Sequence, residues 1–281
     1  MVEEEKNQSG RKRAMRSLCS AALLALCAAV PGQAQGAPAA KTATPILVEL
    51  FTSEGCSSCP PADAWLGQLD SSQPVSGAQV IVLSEHVDYW NHDGWTDRYS
   101  SAFFTDRQSS YVHAMAGSQP YTPEMILNGA TELKLSDMAQ LKQAFSKAAG
   151  AQQLPVAIGA VSVDGGSLHA HVDVDGAGSK HGAEIFAAIA LDHAESQVTR
   201  GENKDHHLTH TAVALDLVRV GKLEKGKPFS QDVQVKLKPG AEPGNLRLIV
   251  FVQESGPGAV LGAALKEVSS ATTAELHSPI R

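Results

Sequence analysis

The chain has 281 residues, with 23 basic and 30 acidic side chains, a formal net charge of −7 and four cysteines. An acidic balance of this size argues against nucleic acid and anionic lipid as partners, because both are polyanions. With 43% hydrophobic residues there is ample material for a core, and a chain of this length is expected to form two domains.

Arg11, Lys12, Arg13 and Arg16 precede an apolar run from Leu18 to Val30, and Gly32-Gln33-Ala34 offers a small-x-small cleavage site. That is the layout of a secretory signal with a basic leader over residues 1–34, its apolar run too short for a membrane span. Met15 would head a signal of more ordinary length. Cleavage leaves 18 basic against 27 acidic residues and only two cysteines, Cys56 and Cys59. No later stretch is long and apolar enough to span a bilayer, so a periplasmic or secreted protein is expected.

Between residues 44 and 150 apolar strands alternate with helical stretches. Ile46–Phe51 reads as a buried strand, and Ala62–Leu69 as a helix entered through Pro60-Pro61, since proline suits a first turn. Gln79–Leu83 is a second buried strand, and residues 97–114 are compatible with a helix. Met125–Leu127 leads into Asn128-Gly129, a strong hairpin signal, with Thr131–Leu133 returning. Ser136 is the expected cap of a last helix carrying Met138, Leu141 and Phe145. The order is β-α-β-α-β-β-α.

After a linker at 150–155 the rhythm changes to period two. Val156–Val163 turns at Asp164-Gly165-Gly166 into Ser167–Val174, and further strands are expected at 183–191, 211–217, 229–237 and 246–253. Short strands at this spacing predict a β-sandwich over 155–268. Residues 269–281 are small and polar and read as a flexible tail.

The chemistry lies in Cys56-Ser57-Ser58-Cys59, directly after the first strand. Two thiols at this spacing can close a small disulfide and exchange electrons with other thiols, provided a partner can reach a sulfur. A helix N-terminus favours an anion, which makes Cys56 the expected nucleophile and Cys59 the resolving thiol. Pro61 disfavours helical angles at Pro60, and Glu54, if turned inward, raises a thiol pKa; both oppose activation. A purely structural bridge is the alternative, although so small a loop gives little entropic stabilisation. His86, at the end of the second strand, is placed to shift the thiol pKa, with Asp88 beside it and Trp90 shaping a groove.

The element order resembles the thioredoxin fold, with Tyr121-Thr122-Pro123 matching the segment that carries its cis-proline. More narrowly, residues 48–63, His86-Val87-Asp88-Tyr89-Trp90 and Arg200-Gly201-Glu202-Asn203 resemble the DUF1223 family of secreted thioredoxin-like proteins. The resemblance implies an α/β thioredoxin-like domain at 44–150 followed by an all-β sandwich domain. It also implies that Pro123 is cis and faces the disulfide, with Thr122 and Tyr121 offered to an extended substrate. Gly55 stands where thioredoxin has tryptophan, and Ser57-Ser58 where it has Gly-Pro.

These features predict an exported thiol–disulfide oxidoreductase whose partners are exported proteins or small molecules with thiols or disulfides, and a redox partner. The rival reading is a non-catalytic binding module in which the dithiol holds a soft ion such as Cu(I). His206-His207-Leu208-Thr209-His210 reads as a solvated loop, not a metal site. No phosphate-cradling glycine loop is present, and no cofactor or metal is expected.

Overall fold

The structure, a computed structural model, describes residues 43–117, 119–176 and 182–269. The expected export signal lies outside these residues, as does the expected tail apart from Ser269.

Strand β1 (Thr44–Thr52) runs parallel to β2 (Ala78–His86), in register from Thr44↔Ala78 to Thr52↔His86, and α1 (Pro60–Ser72) connects them. Side chains alternate across a sheet, so each strand serves two faces. Ile46, Val48, Leu50 and Val82 meet Leu66 and Leu69 of α1. Leu47, Ile81 and Leu83 point the other way, onto Phe104 of α2 (Ala102–Ala114). Burial on both faces explains why these strands read as continuous apolar runs. The segment 97–101 is not helical; Ser101 caps α2 by accepting the Phe103 N–H.

Strand β3 (Glu124–Leu127) pairs antiparallel with β1 and returns as β4 (Thr131–Leu133). Asn128 and Gly129 both take positive φ, 46° and 65°, the conformation that makes Asn-Gly a hairpin signal. Helix α3 (Met138–Ala149) is capped by Asp137, one residue later than expected, whose carboxylate accepts from the Ala139 and Gln140 N–H groups. It packs Leu141 and Phe145 on the α1 face.

The second half is all strand: β5 (Val156–Asp164), β6 (Ser167–Val174), β7 (Ala183–Gln197), β8 (His207–Leu223), β9 (Phe229–Lys236), β10 (Leu246–Glu254) and β11 (Val260–Val268). Its topology corrects the predicted fold class. Four of these strands extend the sheet of the first half, giving one mixed eight-stranded sheet in the order β11-β10-β7-β8-β2-β1-β3-β4. The seam is a parallel contact between β2 and β8 at Ser84↔Val213. Only β5, β6 and β9 form a second, three-stranded sheet, whose Leu168, Val172 and Val233 share a core with Ile185 and Val250 of the large one. An α/β thioredoxin-like domain followed by an all-β sandwich is therefore not the architecture. Periodicity reports which face of a strand is buried, and it carries no information about which distant strand becomes its neighbour.

An ionic group bridges the two halves. Arg107 of α2 reaches Glu49 of β1 (Nε to Oε1, 2.8 Å), Glu85 of β2 (3.4 Å) and Gln253 of β10 (3.2 Å). The Tyr111 hydroxyl donates to Glu49 at 2.7 Å. Glu49 and Glu85 are wholly buried. Burial holds the Glu85 carboxyl well above the usual carboxylate range and adjacent Glu49 adds to this, with Arg107 opposing. One guanidinium does not neutralise both acids.

Candidate functional site

Beyond β1 the chain turns through Ser53–Ser58 into α1, and Cys56 and Cys59 are joined by a disulfide with Cα atoms 5.4 Å apart. The Cys56 N–H donates to the Ser53 carbonyl at 3.1 Å, and the Cys59 N–H to the Cys56 carbonyl at 3.2 Å. Cys59 is the N-cap of α1, its carbonyl accepting from Ala62 and Asp63. Regular helix starts at Pro60, whose missing N–H costs nothing there. Cys56 thus sits one turn before the helix. Both cysteines have 0% exposed surface, whereas Ser57 and Ser58 are exposed. The Ser58 hydroxyl donates to Cys56 Sγ at 3.4 Å. The serines, not the sulfurs, face outward, and neither sulfur is reachable while the loop stays closed.

The cover comes from the far half of the chain. β7 and β8, at 15 and 17 residues the longest strands, pair with each other out to Gln197↔His207, whereas β10 accompanies β7 only to Leu191. The overhanging hairpin carries the turn 198–206 to the cysteine loop. Asn203 Nδ2 donates to the carbonyls of both Glu54 and Cys56, each at 2.9 Å. The Ser57 N–H donates to the Glu202 carboxylate at 3.1 Å, and the Glu202 pKa is lowered by the Ser57 side chain first and by this N–H second. Gly201 makes the approach feasible: its φ is +79°, and a Cβ there would sit 3.0 Å from the Asp93 carbonyl oxygen and 3.1 Å from Trp95 Cβ.

Beneath the loop lies a buried set of three carboxylates and two imidazoles. His86 Nδ1 is 2.7 Å from Asp97 Oδ2, which also accepts the Glu54 N–H at 2.9 Å. Burial alone would make His86 less basic, but the Asp97 carboxylate outweighs this and raises its pKa; the same contact lowers that of Asp97 against its own burial. His210 Nδ1 is 3.3 Å from Asp63 Oδ1, while Asp63 Oδ2 accepts from the Thr52 hydroxyl at 3.0 Å. Glu54 Oε2 accepts from the Trp95 indole at 2.7 Å. The His86 and His210 rings meet edge to face with centroids 4.8 Å apart.

The sequence profile of DUF1223, described as a protein of unknown function, matches residues 47–253. The chain belongs to the DUF1223 family. The match takes in the cysteine loop, the buried cluster and the covering turn together. Among solved structures, a protein from Agrobacterium tumefaciens is 28% identical with a TM-score of 0.64, over 83% of this chain and 98% of that one. HBP35 of Porphyromonas gingivalis is 15% identical with a TM-score of 0.57, over 85% of this chain and 80% of that one, a likeness of fold alone. No curated protein matches.

Within this DUF1223 protein the residues singled out from sequence are placed in several different surroundings. The Thr122-Pro123 bond is cis, and β3 begins at Glu124, paired with Phe51, which places Pro123 at the same edge as Thr52 and the cysteine loop. Trp90 links the two segments: its indole donates to Thr122 Oγ1 at 2.7 Å, and its Cβ lies 3.1 Å from where a Cβ on Gly55 would be. The absence of a side chain at position 55 is what admits Trp90. His86 and Glu54 belong to the buried cluster. Asp88 turns instead to α2, its Oδ1 accepting from the Thr105 hydroxyl at 2.6 Å. Tyr121 is 47% exposed and its hydroxyl bonds to Glu132. Sequence reasoning gave no role to Asp63, Asp97, Glu202, Asn203 or His210. The signal for His210 was there: Leu208, His210 and Ala212 alternate as the buried positions at the start of β8.

Proposed function

We propose that the protein is an exported thiol–disulfide oxidoreductase working through Cys56 and Cys59, with the turn at Gly201–Asn203 controlling access. The observation that carries the reading is the long-range clamp on a bridge too small to act as a staple. Closing a four-residue loop removes little unfolded-state entropy, worth about 2 kcal/mol. Yet the Glu54 carbonyl, the Cys56 carbonyl and the Ser57 N–H are all held by Glu202 and Asn203, residues from the far half of the chain. Trp90, packed against Gly55 and bonded to Thr122, supports a role for this edge in receiving an extended partner, with Tyr121 next in the chain.

In the reducing direction the Cys56 thiolate attacks a partner disulfide, forming a mixed disulfide and releasing one partner thiolate. Deprotonated Cys59 then attacks Cys56 Sγ, restoring the Cys56–Cys59 bond and releasing the second. Two electrons pass to the partner, and the two protons lost by the cysteines end on the partner's thiols. The reverse sequence oxidises a partner dithiol, and the relative reduction potentials set the direction. The expected setting is the periplasm or the extracellular space, where disulfides persist.

A Cys59→Ser variant incubated with a disulfide-bonded peptide should accumulate a mixed disulfide through Cys56, detected by mass spectrometry and cleared by dithiothreitol. No adduct at Cys56, with the variant shown to be folded, would falsify the proposal.

A further inference from the structure

The geometry points to a second site beneath the disulfide, a binding place for one divalent transition-metal ion, held by His86 Nε2, His210 Nε2 and Glu54 Oε1. Among the described residues these three buried atoms have no hydrogen-bond partner, and they come from three separate segments. Buried polar atoms are almost always paired, and here two unpaired imidazole nitrogens belong to rings whose centroids are 4.8 Å apart, with the unpaired Glu54 oxygen beside one of them. The His210 Nε2 and Glu54 Oε1 atoms are 3.9 Å apart, too far for a hydrogen bond. That span is just under the sum of one Zn–N and one Zn–O bond, about 4.1 Å, so an ion touching both lies near the line between them, and the two side chains close on it to reach a tetrahedral angle. Ligand-type atoms of Asp63, His86 and His210 also lie within 4.8 Å of one another, with Asp63 placed on the Nδ1 side of His210 as an orienting partner.

The surroundings fit the same reading. Each imidazole turns Nδ1 to a carboxylate, His86 to Asp97 and His210 to Asp63, the arrangement that orients a metal-bound histidine and leaves the Nε2 lone pair free. As metal ligands the two Nε2 atoms and Glu54 Oε1 would all be acceptors, and a water molecule has only two protons to give. Protonated rings would leave the same nitrogens without an acceptor in range. Glu54, Asp63 and Asp97 are 0%, 6% and 2% exposed, and their ion pairs among the described residues are with imidazoles only. Such an excess of buried negative charge is unfavourable, and a divalent cation removes it. Two imidazoles with a carboxylate suit Zn(II) and its neighbours, not Cu(I), Mg(II) or Ca(II). No sulfur belongs to this ligand set, so the site is distinct from a metal-binding dithiol.

The test uses the full chain, unfolded and refolded with Zn(II), passed through chelator and analysed for metal, with a parallel Co(II) titration followed in the visible. The expected result is one ion per chain, with Co(II) d–d bands and no thiolate charge-transfer band. Binding is lost in His86→Ala and His210→Ala and weakened about 10- to 100-fold in Asp97→Asn, since Asp97 orients His86 and holds the Glu54 N–H without being a ligand itself. It persists in Cys56→Ser/Cys59→Ser and in His207→Ala, which removes an exposed imidazole 3.4 Å from Glu195. A folded chain that takes up neither metal overturns the site, as does binding that survives His210→Ala or disappears without the cysteines or His207. Where the alanine variants fail to fold, the Co(II) spectrum of the unaltered chain decides alone. Loss of the mixed disulfide in the earlier experiment leaves this result untouched, since no cysteine is involved.

Discussion

Asn203→Ala removes two of the hydrogen bonds that hold the cysteine loop shut and leaves the one from Ser57 to Glu202. Asn203 is 1% exposed, so the carbonyls of Glu54 and Cys56 each lose a buried donor that water does not replace while the loop stays closed. Each such loss costs about 1–3 kcal/mol, or roughly 2–4 kcal/mol for the pair once partial relaxation is allowed. These bonds are broken in the open loop of either protein, so the loss falls on the closed state and favours opening. If about 2 kcal/mol of it acts on local opening, the open population rises some 30-fold. Attack on the disulfide draws on that population, so its reduction by dithiothreitol should accelerate by the same factor. The assay is alkylation of freed thiols, followed by mass spectrometry well below the unfolding temperature. Arg107→Met is the control, since it destabilises the protein at the α2 face, away from this turn. A reduction rate within twofold of the unaltered protein, or equal acceleration in both variants, would refute gating by Asn203.

Three further outcomes follow from the same structure. Arg107→Met leaves Glu49 buried without its cation and should lower stability by about 3–5 kcal/mol in urea denaturation, far more than an exposed ion-pair deletion. Cys56→Ser/Cys59→Ser should lower it by only about 2 kcal/mol, given the small loop; a loss above 4 kcal/mol would mark the bridge as structural. Because burial raises the Glu85 pKa in the folded protein, stability from this group is fully present below the unfolded glutamate value and lost as pH rises through the folded one. Glu85→Gln should therefore gain on the unaltered protein as pH increases from 4 to 8, and a difference in stability that is flat with pH would count against the assignment.

The local elements were legible because each has a local cause. Asn128-Gly129 marks its hairpin, Pro60-Pro61 marks the start of α1, and the apolar runs at Ile46 and Val80 mark strands buried on both faces. The way the halves join was not legible, because the contact Ser84↔Val213 spans positions with no local relation. β11 was missed for a plainer reason: Gly262-Ala263-Ala264 has weak strand propensity, and Lys266-Glu267 reads as surface. At the site, Cys56 and Cys59 announced themselves by spacing. Asp63 fell within an expected helix with nothing to single it out, Asp97 within another, and His210 in an expected polar loop. Their burial depends on long-range packing of β8 and α1, which residue type does not reveal.

Catalysed insulin reduction tests the central claim most directly. With dithiothreitol as electron source, the unaltered protein should accelerate precipitation of the insulin B chain, Asn203→Ala should accelerate it further, and Cys56→Ser should return it to the uncatalysed rate. Equal rates with and without the unaltered, folded protein would contradict the account.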